Sequence, residues 1–451
     1  MKWKTCFLSP LFSLHLCKHY FMPFSRRSFL HKAGMASVTA FVSSLFQPAW
    51  SKNLEKALQQ AASVPPDQLA GDEEFWYAIQ QSFAVSPDII NLNNGGVSPA
   101  PKMVQDAMIS YYDYCNEAPS YYMWRILDQG RETLRTNLAK LAGCSSEEIA
   151  INRNSSEGLE TIIFGLQLKE GDEVVASRQD YPNVVNAWKQ REQRDKIKVV
   201  WVNLELPSED ESYLVQQYVN AITPKTKAVN ITHIINWNGQ ILPVRKIADE
   251  AHKRGIDVLV DGAHSFAHLN FQVPDLEGDY FATSLHKWLY APIGSGMLYV
   301  KKEKIKNIYP LYAADIPLKD NIRKFENLGT RPFFIEEAIN KAIEFHQVIG
   351  SERKEKRLHY LKNYWMEKVK DVPGVKLHTS LYPEWGCAIG MVSIEGKKPA
   401  ELESYLFNNY HIHTVSITWE NISGVRITPN VYTSTNQLDS LVQGIISFAK
   451  S

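Results

Sequence analysis

The chain has 451 residues, 44% apolar and 22% charged, with 49 Lys and Arg balancing 49 Asp and Glu. That length exceeds what one hydrophobic core usually organises, so a large globular domain with a smaller companion is expected. Balanced charge excludes nucleic acid as the expected partner, and five cysteines without a CxxC pair form neither a disulfide framework nor a zinc site.

At the N-terminus, Ser25-Arg26-Arg27-Ser28-Phe29-Leu30 precedes a largely apolar stretch from Ala33 to Phe46. That stretch is too short for a spanning helix, which needs about 20 residues. The order of arginine pair, Phe-Leu and apolar run resembles a twin-arginine export signal. Residues 1–50 are therefore expected to be a leader, with the twin-arginine export machinery as a partner and the periplasm, or another exported location, as the destination. From 51 to 84 the chain is polar, Gln- and Ala-rich, and reads as a helical linker.

Between about 149 and 300, β-branched runs alternate with helix-length amphipathic segments. EIAIN, EVVAS, KVVWVN, KAVNITHI, DVLVD, YFATS and GMLYV read as strands; Glu157 to Leu168 and Pro243 to Arg254 read as helices. The alternation predicts an α/β fold with a largely parallel sheet covered on both faces, its ligand at the carboxyl ends of the strands. From about 335 a long charged helix is expected to run to about Lys370, and Pro373-Gly374 then opens shorter strands and helices. The expected domains are 85–335, large, and 336–451, small.

The chemistry-bearing residues fall where the strands end. After EIAIN, Arg153-Asn154-Ser155-Ser156-Glu157-Gly158 opens a helix, and hydroxyls with backbone amides at a helix N-terminus suit a phosphate. An ordinary serine N-cap is the plainer reading. After DVLVD comes Asp261-Gly262-Ala263-His264, a carboxylate at the mouth of a buried strand, costly unless a cation such as a pyridinium faces it; a turn cap is the plainer reading. After YFATS comes Ser284-Leu285-His286-Lys287-Trp288-Leu289. A lysine among apolar and aromatic neighbours loses solvation, which favours the neutral amine that attacks an aldehyde. A lone lysine is normally a solvated charge, but the order of cradle, aspartate and lysine, all at strand ends, weakens that reading. His264 and His268 are spaced for a metal pair on one helical face, yet no Glu or third ligand accompanies them, so no metal is expected.

These motifs, with NLNNGGVSP from Asn91, DGAHSFAH and TSLHKWLYAPIGSGMLYV, resemble the class V aminotransferase group of fold-type I pyridoxal 5'-phosphate (PLP) enzymes, within it the isopenicillin N epimerase-like branch. The resemblance runs from about Asn91 to Arg426 and beyond. It implies a mostly parallel seven-stranded sheet in the large domain and a smaller C-terminal α+β domain. It implies that Lys287 carries PLP as a Schiff base and shuttles protons at the substrate α carbon, while Asp261 pairs with the pyridinium nitrogen. His264 and Asn236, in THIINWNGQ, match positions near the ring hydroxyl. Ser155, Ser156, Ser284 and His286 match the phosphate cup, and Tyr181, in QDYPNVV, takes the place of a residue stacked on the ring, where cysteine desulfurases usually carry histidine. Gly329-Thr330, in FENLGTRP, matches a loop that reaches the neighbouring subunit's phosphate, implying a homodimer with shared active sites. Arg426, in GVRITP, matches the arginine that grips the substrate carboxylate.

The resemblance favours an aminotransferase or epimerase acting on an amino acid or another amino-group substrate. A PLP-dependent lyase or oxidative deaminase that modifies a peptide or siderophore side chain in the periplasm is the alternative. Cysteine desulfuration is disfavoured, because His411 to Arg426 holds no cysteine and Cys387 lies well upstream. A non-catalytic binding protein of the same fold is disfavoured by the presence together of Lys287, Asp261 and Arg426. A nucleotide-dependent oxidoreductase lacks any G-x-G-x-x-G after its first strand.

Overall fold

The computed structural model describes residues 49–451, so the arginine pair and apolar run of the expected leader lie outside the described residues. Seven strands form the large sheet: β1 (Ile149–Asn152), β2 (Glu173–Ser177), β3 (Lys198–Val202), β4 (Thr226–Thr232), β5 (Asp257–Asp261), β6 (Tyr280–Ser284) and β7 (Gly296–Val300). They are the seven runs read from the sequence. Their order in space is β1-β7-β6-β5-β4-β2-β3. All run parallel except β7, which is antiparallel to both neighbours. The link from β6 to β7 carries only one short helical turn, Leu285–Trp288, too little for the crossover a parallel partner needs, so the chain folds straight back.

Alternate residues of each strand enter different apolar clusters. Ile151, Val175, Val229, Val260 and Phe281 join one, whereas Ala150, Val174, Ala228, Leu259 and Ala282 join the other. Both faces are thus covered, as near-continuous apolar strands require. The carboxyl ends of the parallel strands share one edge of the sheet, where the polar loops gather.

Among the helices that precede the sheet, Ala49–Gln60 and Glu73–Gln80, in the segment expected to be a linker, are packed onto the body. Leu54, Leu58, Trp76, Ile79 and Phe83 from this segment belong to the main apolar cluster. The single helix expected from 335 to 370 is two, Phe333–Ile349 and Ser351–Val369. Gly350 separates them at φ +89°, a conformation that side chains with a Cβ rarely adopt. Its amide still closes the first helix on the His346 carbonyl.

C-terminal to these lies an antiparallel sheet of β8 (Val375–Leu377), β9 (Gly390–Ile394), β10 (Val415–Trp419) and β11 (Ile422–Ile427), in the order β10-β11-β9-β8. The segment Ile90–Asn91 pairs with Ile412–His413 beside it. Thr428 N–H donates to the Leu92 carbonyl at 2.7 Å, and this bracing delivers Gly95 and Gly96 to the edge where the parallel strands end.

Candidate active site

At that edge lies a cavity of ≈ 570 Å³, walled by the loops after β1, β2, β4, β5 and β6 and closed on one side by β10 and β11. Ten of the residues singled out from the sequence line it: Ser155, Ser156, Tyr181, Asn236, Asp261, His264, Ser284, His286, Lys287 and Arg426. Thr330 does not; it is exposed elsewhere on the same chain. Tyr121, Tyr122, Met123 and Trp124, an aromatic cluster that follows Pro119 in the sequence, do not line the cavity, and Tyr121 and Trp124 are exposed.

The anion end is built at the start of the helix Ser155–Gly165, where Asn154 caps the Glu157 amide at 2.9 Å. Ser284 Oγ, at the end of β6, accepts from the Ser155 amide at 2.9 Å and donates to Ser155 Oγ at 3.0 Å, tying the two loops together. Asn183 Nδ2 reaches Ser156 Oγ at 3.4 Å. His286 pairs its Nδ1 with the Ser295 carbonyl at 3.1 Å, and burial together with the Lys287 charge holds its ring down to about 4. This end is therefore hydroxyls, a neutral imidazole and the positive pole of a helix.

Lys287 Nζ stands 3.1 Å from His264 Nε2. Burial brings its amine down to about 8; the Asp261 carboxylate opposes this and the Arg426 guanidinium adds to it. Burial and the neighbouring Lys287 and Arg426 charges hold His264 neutral, well below its ordinary range. The Trp288 indole N–H donates to His264 Nδ1 at 3.4 Å, so the ring proton belongs on Nε2, pointing at Lys287. In that tautomer the N–H meets the lone pair of the deprotonated amine. The hydrogen bonds and the lowered basicity thus both favour the deprotonated, nucleophilic amine far more than an ordinary lysine does.

The turn bearing Lys287 is supported from behind. Lys354 Nζ, wholly buried, donates to the Trp288 carbonyl, lies 3.5 Å from His346 Nδ1 and sits 3.9 Å over the Tyr290 ring. Tyr290 in turn donates to Asn430 Oδ1 at 2.6 Å. His268 lies flat against Trp288, ring centres 3.7 Å apart, with its Nδ1 on the His264 carbonyl and its Nε2 accepting from the Ala388 amide. Both its nitrogens are spent on backbone, so the His264–His268 spacing serves packing.

Asp261 accepts a hydrogen bond from the Ala263 amide at 2.9 Å, and burial raises its carboxyl above the usual range. Asn236 Oδ1 and Arg426 Nε are buried without a hydrogen-bond partner. Arg426, on β11, is 7% exposed and donates to the Asn236 carbonyl at 2.9 Å and to Asn93 Oδ1 at 2.8 Å. No carboxylate among the described residues forms an ion pair with it, so the cavity contains a desolvated guanidinium without a counter-anion. Burying such a charge unpaired is costly, which marks the position as one an anionic ligand completes.

The donor set matches PLP. It provides a cradle for a dianionic phosphate, an amine for an aldehyde, a buried carboxylate for a pyridinium, and an unpaired Asn236 Oδ1 among them. Sequence reasoning missed several wall residues. Trp237 lines the cavity, and its indole N–H is fixed on the Gln179 carbonyl. Val415 and Ile417 form part of the other side. Asp180 does not line the cavity but braces Thr232, which does: fully buried, it accepts from the Ser177 amide, Asn230 and Thr232. The Trp in THIINWNGQ was visible in the sequence, but nothing in its spacing tied it to the lysine.

Comparison with known proteins gives the same picture. The aminotransferase class-V family profile matches residues 90–417. Isopenicillin N epimerase of Streptomyces clavuligerus is 26% identical over 390 residues, 82% of this chain and 97% of the relative. A probable cysteine desulfurase of Halalkalibacterium halodurans is 25% identical over 382 residues, 79% of this chain and 92% of the relative. Among solved structures, a C-DES mutant with glycine covalently linked to its PLP cofactor superposes with TM-score 0.74 at 21% identity, over 81% of this chain and 98% of the other; it shares the fold. The chain belongs to the aminotransferase class-V family and is a pyridoxal 5'-phosphate-dependent enzyme.

Proposed function

We propose that this protein acts on an amino acid bearing a free α-carboxylate, as an aminotransferase or an epimerase. The observation that carries this reading is the desolvated Arg426 guanidinium, without an ion-pair partner among the described residues, facing the same cavity as a buried Lys287 of lowered basicity and a buried Asp261. When bound there, the cofactor supplies an electron sink for the substrate α carbon. Ser155, Ser156, Ser284 and His286 would hold its phosphate, Asp261 would pair with its ring nitrogen, and His264, Asn236 and Tyr181 would complete its binding. Lys287 would hold its aldehyde and would serve as the base that takes and returns the substrate's α proton. With its Nδ1 accepting from Trp288, His264 directs its Nε2 proton at that amine and favours its basic form. Arg426 orients the substrate through its carboxylate, for which a guanidinium fork is suited.

Isopenicillin N epimerase relatives support the epimerase side of this reading. A desulfurase cycle is less well supported. No cysteine among the described residues lines the cavity, and Cys387 is wholly buried with its thiol pushed up to about 12, far from the thiolate such chemistry needs. Modification of a peptide or siderophore side chain by a lyase or oxidative deaminase is the second reading, and the export-signal resemblance is what favours it. In the same reading the protein is a homodimer, exported to the periplasm by the twin-arginine route, with Thr330 completing the phosphate site of a neighbouring copy. Thr330 being exposed and away from its own cavity is consistent with that arrangement.

The test is an absorption scan of purified protein with and without borohydride, followed by a screen of L- and D-amino acids for 2-oxo acid formation and for inversion by chiral chromatography. A borohydride-fixable chromophore lost in Lys287→Ala, with either product, supports the proposal. A wild-type protein that binds PLP but converts no amino acid, with or without a 2-oxo acid acceptor, overturns it.

A further inference from the structure

Resting on the amino-acid reading above, we infer that the substrate side chain ends in an aromatic or similarly flat apolar group, and that Trp237 is the residue that selects it. Tyr181, Trp237 and Trp419 form a row of near-parallel rings. Tyr181 and Trp237 are 6.5 Å apart at 26°, Trp237 and Trp419 5.3 Å apart at 26°. Each member comes from a different part of the fold. Tyr181 starts the helix after β2, Trp237 follows β4, and Trp419 ends β10. Chain continuity therefore does not explain their alignment.

The row is also fixed in orientation. The Trp237 indole N–H donates to the Gln179 carbonyl and that of Trp419 to the Arg178 carbonyl, both at 2.9 Å, so two consecutive peptide groups hold the two rings. Gln179 Nε2 donates to Asn421 Oδ1 at 2.8 Å, which clamps the same loop to the turn between β10 and β11. A rigid aromatic surface of this kind recognises a flat apolar group at low ordering cost.

Its position is what relates it to substrate. Tyr181 and Trp237 line the cavity, and the Asn236 carbonyl, one residue before Trp237, is held by Arg426. The aromatic surface therefore starts beside the carboxylate grip. Val415 and Ile417 add apolar wall from β10, and among the described residues Asp261 is the one acidic residue lining the cavity. A side-chain ammonium would find no second carboxylate there. At ≈ 570 Å³ the cavity falls within the range of about 300–1,000 Å³ typical of ligand pockets.

The test uses PLP-loaded protein, following the cofactor absorption band while L-phenylalanine and L-alanine, and their D-enantiomers, are titrated in. The expected result is phenylalanine bound about tenfold or more tightly than alanine, with the ratio falling toward one in Trp237→Ala and largely kept in Trp237→Phe. Trp237→Phe retains a ring but loses the N–H to Gln179, so it separates stacking from loop positioning. Equal affinity in wild type overturns the inference, as does a Trp237→Phe variant that loses the preference as fully as Trp237→Ala. If no amino acid perturbs the band of a borohydride-fixable cofactor, the amino-acid reading itself fails; preference-free perturbation defeats the side-chain inference alone.

Discussion

Replacing Asp261 with asparagine tests the electrostatic construction of the site without requiring turnover. The substitution keeps size and shape, and an amide oxygen can still accept from the Ala263 amide, now 2.9 Å from the carboxylate. What it removes is the negative charge that opposes the fall in Lys287 basicity. With the amine at about 8 rather than the ordinary 10.5, about one Lys287 in ten is neutral at pH 7, against about one ordinary lysine in three thousand. An opposite charge within a few ångströms typically moves such a group by about one pH unit or more, so the variant's midpoint should fall to about 7 or below. The assay is the rate at which apo-protein attaches PLP, trapped with borohydride, from about pH 6 to 10. In wild type the rate should rise with pH through a midpoint near 8, because only the deprotonated amine attacks an aldehyde. In Asp261→Asn the same rise should come at lower pH. A wild-type midpoint near 10.5, or one that the substitution leaves in place or raises, would refute the reasoning.

Arg426→Lys retains a charge but loses the fork, and the KM for amino acids should rise by about ten- to a hundredfold, while amines without a carboxylate are affected little; equal effects on both would show that the guanidinium does not grip the carboxylate. Lys354→Met should lower stability by about 1–3 kcal/mol in denaturant unfolding, because the Trp288 carbonyl loses a buried donor. It should weaken PLP retention as well, since that carbonyl belongs to the residue after Lys287; normal stability and retention would rule out a supporting role. Cys387→Ala should leave turnover within about twofold at a cost of about 1 kcal/mol in stability, and loss of activity in a protein that still retains PLP would reopen thiol chemistry.

The large sheet was readable because its strands are buried on both faces, which makes EVVAS, YFATS and GMLYV continuous apolar runs bounded by polar loops. Lys287, Asp261 and Ser155 were readable because each follows such a run directly. The Gly350 break was harder, since charged periodicity continues on both sides of it and only the glycine marks the stop. Residues 51–84 look polar in composition, yet Leu54, Leu58, Trp76 and Ile79 fall on buried faces, a pattern that average composition hides. Trp237, Trp419 and Lys354 escaped notice for another reason. Each matters through partners far away in the chain, and no local spacing announces a ring stacked across two sheets or an amine capping a carbonyl 66 residues earlier.

The hydrogen bonds joining the turn after β10 to the loops after β2 and β3 have an implication for how such enzymes diversify. Lys287 is carried by the large sheet and Arg426 by the small one, so the distance between amine and guanidinium is a property of the seam, held by Gln179 to Asn421, Asn421 to the Leu204 carbonyl, and Arg426 to the Asn236 carbonyl. Drift in the small sheet can therefore retune which molecule is accepted while the vitamin-binding half stays as it is. Grafting the β10–β11 hairpin from a relative is accordingly the shortest route to a changed substrate range.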